Sequence, residues 1–181
     1  MGELEGKVVL VTGASRGIGA AIAKRFGAEG ARVAIAARTM EKHAHLAGSL
    51  VQTAKVIESY GGTAFPIAAD LADSAGLDRL VEQTVSELGP IDILVNNAAA
   101  AFYLPFTKVG EKRFRIANDI NFYAPWRLSQ LVVPSMVERG EGWILNISSA
   151  TSTLPRSVEL QRIRRAFDSL RVDQGCTRAL Y

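Results

Sequence analysis

A chain of 181 residues with 48% hydrophobic and 22% charged side chains is long enough to bury a core and has the composition of a soluble globular protein. Its one cysteine, Cys176, cannot form an internal disulfide or a metal cluster, so no metal site is expected and the cytoplasm is the default compartment. The net charge of +3 lies wholly in residues 156–181, which hold six Arg, no Lys and three acids (Glu159, Asp168 and Asp173), while residues 1–155 are balanced. A nucleic-acid-binding surface is therefore not expected on the body of the chain.

In chain order, Val8–Val11 is too short an apolar run for a signal segment or a membrane span, so no membrane partner is expected and the run reads as a buried strand. Strands are predicted over Lys7–Thr12, Arg32–Ala37, Thr63–Ala69, Ile91–Asn96 and Trp143–Ser148, each short and rich in Val, Ile and Ala. Helical spacing fills the gaps. Gly17–Gly27 places Ile18, Ile22 and Phe26 on one face, Met40–Tyr60 forms a second helical stretch, and Ser74–Leu88 aligns Leu77, Leu80, Val81 and Leu88. Glu111–Arg139 is a long helical stretch, interrupted near Asn118–Asn121 and closed by Gly140. Strands alternating with helices predict a Rossmann-type α/β fold: a doubly wound parallel sheet in the order 3-2-1-4-5, incomplete on its C-terminal side, with ligand at the carboxyl ends of the strands. Residues 1–155 form the expected dinucleotide-binding domain and residues 156–181 an aberrant, Arg-rich tail.

The first predicted strand runs straight into Thr12-Gly13-Ala14-Ser15-Arg16-Gly17-Ile18-Gly19 and then a helix. Glycines there allow a tight turn and let backbone N–H groups approach a pyrophosphate, which the positive end of the helix favours. This loop resembles the cofactor loop of the short-chain dehydrogenase/reductase family. The resemblance continues through Asp70-Leu71 after strand three, Asn96-Asn97-Ala98-Ala99 after strand four (Ala99 where the family has Gly), Asn121 on the long helix, and Asn146-Ile147-Ser148-Ser149 after strand five. It implies cofactor contacts from Gly13, Ser15, Arg16, Gly17, Ile18, Gly19, Arg38, Asp70, Leu71 and Asn97, and catalytic roles for Asn121 and Ser149. Asn97 and Asn121 are equally the residue type that satisfies buried backbone groups. The end of strand two, where an NAD enzyme carries an acid for the ribose 2′-OH, here reads Ala37-Arg38, and the glycine loop adds Arg16. Two guanidinium groups and no carboxylate suit a 2′-phosphate, so NADP(H) is expected over NAD(H).

The family's general acid, a Tyr assisted by a Lys four residues later, is missing. After Ala150 the only Tyr is Tyr181 and there is no Lys, and Tyr60, Tyr103 and Tyr123 have no Lys at that spacing. The tail admits one explanation at the level of the gene. With permitted codons for Leu170 to Tyr181, reading one base later spells YGSTKAALERF, which resembles the family's Tyr-x-x-x-Lys helix. A frameshift a little after Pro155 is therefore expected. Two functions follow: an oxidoreductase by lineage, acting on a small-molecule alcohol or carbonyl but inactive in this form, or a non-catalytic nucleotide-binding remnant or regulatory module. Relatives in the family are homo-oligomers, an expectation this chain does not clearly inherit. Phe102, Tyr103, Leu104 and Phe106 after strand four could line an apolar pocket or anchor the loop. Cut after strand five, the sheet would end on an open edge and the long helix would lose cover over Phe114, Leu128, Leu131, Val132 and Met136, so an aggregation-prone chain is expected.

Overall fold

The computed structural model describes residues 2–41 and 48–149. Five parallel strands, β1 (Val8–Thr12), β2 (Arg32–Ala37), β3 (Thr63–Ala68), β4 (Ile93–Asn96) and β5 (Trp143–Asn146), form one sheet in the order β3-β2-β1-β4-β5. The order is the one the strand–helix alternation predicts. These elements fall in a unit spanning Met1–Ile147, with Ser148 and Ser149 outside it.

Both faces of the sheet are apolar, and successive side chains of each strand go to opposite faces. Val9, Val11, Val33, Ile35, Ile93 and Val95 face one layer, built from α1 (Gly17–Ala28) and α2 (Leu50–Ser59). Val8, Leu10, Ala34, Ala36, Ile67 and Leu94 face the other, built from α3 (Ser74–Leu88) and α5 (Ala124–Arg139). Each Val, Leu or Ile side chain among them taken fully out of water contributes about 1.5–3 kcal/mol of transfer free energy, which is why the central strands read as nearly unbroken apolar runs.

The helices follow the sequence expectations with three corrections. The stretch expected to be helical over Met40–Tyr60 begins as a helix only at Leu50; residues 42–47 of it lie outside the described residues. Gly48 has φ +89 and Ser49 is extended, and the Ser49 Oγ accepts from Gln52 N at 3.0 Å, so local capping chemistry starts the helix there. The second correction is in α1, whose fully buried positions are Gly19, Ala20, Ala23 and Gly27, while of the Ile18–Ile22–Phe26 row Ile22 and Phe26 are half-buried against the core and Ile18 is not. Small residues allow the helix to lie close to the sheet and to α2, where Ile57 fills the space beside Gly27. Ile18 is left 63% exposed.

The third concerns the long helical stretch. It is interrupted where expected: α4 (Glu111–Asn118) passes into a π-helical turn at Asp119–Tyr123 before α5, which Gly140 closes in a left-handed conformation at φ +70. Leu128, Val132 and Met136 do not lack cover, because they are buried against α3 and the sheet. The exposed apolar side chains lie on the other flank, at Phe114, Phe122, Trp126, Val133 and Val137. Arg127 fixes α5 to α3 through two bonds to Asp78 (2.9 and 2.8 Å), and its guanidinium holds the Asp78 carboxyl below the usual carboxylate range.

Among the described residues β5 is an edge strand, and Trp143 and Leu145 on it are exposed. Its amino end is held by a small network. Asp92 accepts from Val8 N at 2.8 Å and from Arg139 at 3.2 Å, while Lys7 bonds Glu141 at 2.8 Å and lies 5.6 Å from the Trp143 ring centre.

The two flanks of α5 give a direct test. Leu128→Ala is expected to cost about 2–5 kcal/mol in urea unfolding, whereas Val137→Ala should stay within about 0.5 kcal/mol. Equal losses would mean that the two flanks are not packed as described.

Candidate functional site

Because all five strands are parallel, their carboxyl ends converge on one side of the sheet. β1 is where the order reverses, with β2 on one flank and β4 on the other. A crevice outside this reversal is where doubly wound sheets take ligands. The residues singled out in the sequence follow these ends: the glycine loop after β1, Arg38 after β2, Asp70 and Leu71 after β3, Asn97 after β4, and Ser149 three positions beyond the last residue of β5.

The glycine loop is held from beneath. Thr12 Oγ1 donates to Val95 O at 3.2 Å and accepts from Asn97 N (3.0 Å) and Ala98 N (3.1 Å), so all of its hydrogen-bonding capacity is used. Asn97 Nδ2 donates to Thr12 O at 2.9 Å and Gly13 O at 3.3 Å. From the other side Thr53 Oγ1 donates to Ala14 O at 3.0 Å, and Ala14 N bonds Ala36 O at 3.1 Å. A Cβ at Gly19 would overlap the Asn97 amide and lie 2.5 Å from Gly13 O; one at Gly13 would lie 2.8 Å from Ala98 Cα. Asn97 thus touches the loop's backbone from behind, as a positioning residue.

The outward side of the loop is open. Gly17 has φ +56, and a Cβ there would meet nothing within 4 Å. No side chain caps the N-terminus of α1 and its first turn carries no acid, whereas α2 and α3 are capped by Ser49 and Asp73. An uncapped N-terminus of a twelve-residue helix, reached through glycines, is where an anion is favoured. Beside it, Arg16 Nη1 is shielded from solvent yet meets no acceptor among the described residues. Arg38 is exposed, and no acid follows β2 before Glu41. An orphaned guanidinium nitrogen and an uncapped helix start are a donor set that fits a phosphate-rich ligand.

The remaining predicted residues divide. Asp70 is exposed, and its carboxylate accepts from Ala72 N at 3.0 Å. The Leu71 side chain is in the core, so only its backbone remains to meet a ligand. Ser15 is buried. Ile18 projects outward from the first turn of α1. Asn121 sits in the π-helical turn and holds the loop after β4 from both sides: its Nδ2 donates to Ala100 O and its Oδ1 accepts from Ala100 N, each at 2.8 Å. Tyr181 and the rest of the tail lie outside the described residues.

Sequence reasoning did not single out Thr12 and Thr53. A threonine ending a buried strand just before a glycine loop is a readable signal. Thr53 had none, since its partner Ala14 is 39 residues away. Among the described residues no cluster of three or more metal-ligating side chains occurs, and no helix is long and apolar enough to cross a membrane.

The family model of the short chain dehydrogenases matches residues 7–159, spanning every element of this site. The chain belongs to the short-chain dehydrogenase/reductase family. It is 38% identical over 154 residues to the hydroxysteroid dehydrogenase-like protein 2 of Mus musculus, an alignment covering 85% of this chain and 31% of that protein. A short chain dehydrogenase crystal structure from Mycobacterium thermoresistibile is 42% identical with a TM-score of 0.76, covering 81% of this chain and 52% of that one. A metagenomic short-chain oxidoreductase in complex with NADP is 34% identical with a TM-score of 0.77, covering 93% and 78%. The chain spans about a third of the mouse relative and about half of the mycobacterial one.

The packing of Gly19 against Gly13 and Asn97 is testable without any ligand. Gly19→Ala is expected to lower stability by about 1–3 kcal/mol in denaturant unfolding, because the atoms it meets are backbone and a doubly bonded amide. A neutral substitution would show that the loop can relax away from Asn97.

Proposed function

We propose that this chain is the nucleotide-binding part of an NADP(H)-dependent oxidoreductase that moves hydride between the cofactor and the carbon of a small-molecule alcohol or carbonyl, with residues 1–155 as that domain. The observation that carries this reading is the open, uncapped start of α1 beside Gly17, with Arg16 Nη1 buried and unpartnered next to it. The pyrophosphate would take the N–H groups at Gly17, Ile18 and Gly19, with Asp70, Leu71 and Ser15 bordering the nucleotide and Asn97 shaping its cradle. Arg16 and Arg38 would grip the 2′-phosphate, which an acid after β2 would repel. When bound, the nicotinamide supplies or accepts the hydride. Ser149 would steady the substrate oxygen. Asn121 contributes by fixing the Ala100 backbone, and so the loop that begins at Asn97. A cytoplasmic location fits this reading.

Equilibrium binding tests the cofactor assignment. NADPH should bind more tightly than NADH, and Arg38→Asp should reverse the preference. If that substitution leaves the ratio of the two affinities unchanged, the 2′-phosphate assignment is wrong.

The missing Tyr and Lys favour a second reading for the 181 residues themselves, that of a nucleotide binder without turnover. A positioned general acid is worth about 10²–10⁴-fold, and Ser149 alone does not replace it. We attribute the loss to a frameshift after Pro155. The 181-residue chain is expected to bind NADPH without measurable dehydrogenase activity, and the gene to carry codons at Gln174 to Thr177 that spell the shifted motif. Other codons there would sink the frameshift, and turnover abolished by Ser149→Ala would show that another group has taken the role of the Tyr.

A further inference from the structure

The loop between β4 and α4 carries four large apolar side chains whose two sequence interpretations were pocket lining and loop anchoring. Anchors would be buried. Phe102, Tyr103, Leu104 and Phe106 are all exposed, Tyr103 by 92% and Phe106 by 75%. The segment is nonetheless well defined. Its root is held at Ala100 by both polar atoms of Asn121, Leu104 N bonds Phe102 O at 2.9 Å, and Phe106–Lys108 form a single helical turn. An ordered segment that presents aromatic side chains to solvent keeps them for something other than the core of its own unit.

Charge along the segment is uneven. No Asp, Glu, Lys, Arg or His occurs from Ile93 to Thr107, and then Lys108, Lys112 and Arg113 follow within six residues. All three are exposed and without an ion-pair partner among the described residues. The one acid among them, Glu111, is taken by Arg115 through bonds of 3.0 and 2.6 Å. A neutral apolar stretch thus leads from the nucleotide cradle, where Ala98 abuts Gly13, to a cluster of free cations at the start of α4.

We propose that this segment binds an amphiphilic substrate: an apolar chain or ring system lying along Phe102–Phe106 and an anionic head group, a carboxylate or phosphate, at Lys108, Lys112 and Arg113. The proposal rests on the oxidoreductase reading above, because continuity with the glycine loop is what would bring one end of the apolar body to the nicotinamide. A soluble amphiphile fits better than a lipid surface for the same reason: its reacting carbon must reach the cradle. Burial of the aromatic faces supplies affinity, and the cations select the head group.

Calorimetric titration of the full 181-residue chain, with and without NADPH, tests this with three probes below their micellar concentrations: dodecanoate, 1-dodecanol and dodecyltrimethylammonium. Dodecanoate should bind tightest and the cationic probe weakest. Tyr103→Ser combined with Phe106→Ser should weaken dodecanoate and dodecanol alike, by about tenfold. Lys112→Glu combined with Arg113→Glu should weaken dodecanoate only, by a similar factor. Val133→Ser with Val137→Ser, which removes exposed apolar groups on α5, should change nothing. Equal affinity for the three probes, or an effect of the α5 pair as large as that of the loop pair, overturns the proposal. So does binding to phosphatidylcholine–phosphatidylglycerol vesicles with no binding of monomeric dodecanoate. NADPH affinity should be the same in every variant. Its absence beside an intact dodecanoate pattern would count against the nucleotide reading and leave the amphiphile site standing.

Discussion

The junction between Thr12 and Asn97 sets the geometry on which the site is built. One hydroxyl at the end of β1 receives two consecutive backbone amides from the end of β4 and returns its own proton to Val95 O, while the Asn97 amide reaches back to the carbonyls of Thr12 and Gly13. All of this takes place at the reversal of strand order, between the central strand β1 and its neighbour β4. Polar groups enclosed there must be paired or cost about 1–3 kcal/mol each, so the loop above inherits a fixed backbone. Gly13 and Gly19 follow from the same junction, since the Asn97 amide occupies the volume a side chain would need.

What the junction fixes on its inner side it frees on the outer one. Asn97 and Thr53 hold the carbonyls of the turn from β1 into α1, and no side chain caps the first N–H groups of the helix. The helix start is then left with N–H groups directed outward, a positive end beside a half-buried arginine. α2 and α3 instead close their first turns with Ser49 and Asp73. Within one fold the first amides of a helix are met by a side chain at α2 and α3 and by none at α1 and α4, and of these two only α4 carries an acid, Glu111, in its first turn.

The long helical stretch shows a related economy. The π-helical turn at Asp119–Tyr123 inserts a residue's worth of extra backbone and turns Asn121 toward the loop after β4, where its amide pairs both polar atoms of Ala100. That contact joins the helix layer to the same loop whose first residues clamp β1. The amphiphile site proposed for Phe102–Arg113 therefore begins at a braced point, although its apolar side chains lie in the open.

Much of this was legible in the residues. Strand order follows from the alternation of strands and helices, and the strands, the glycine turn, the break at Asn118–Asn121 and the stop at Gly140 follow from local chemistry: near-continuous apolar runs, positive-φ glycines and short polar side chains that compete with helical bonding. What the sequence could not decide were matters of distance between segments far apart in the chain. Helical spacing groups Ile18 with Ile22 and Phe26, and a cut after strand five predicts lost cover over Leu128, Val132 and Met136, but neither records what lies opposite a face. Only the packed sheet showed that α1 approaches through small residues, that α3 covers α5, and that Asn97 serves the loop backbone from behind. The composition of a short segment determines its preferred backbone, whereas the partner of a buried amide or an apolar flank is set by the arrangement of the other elements.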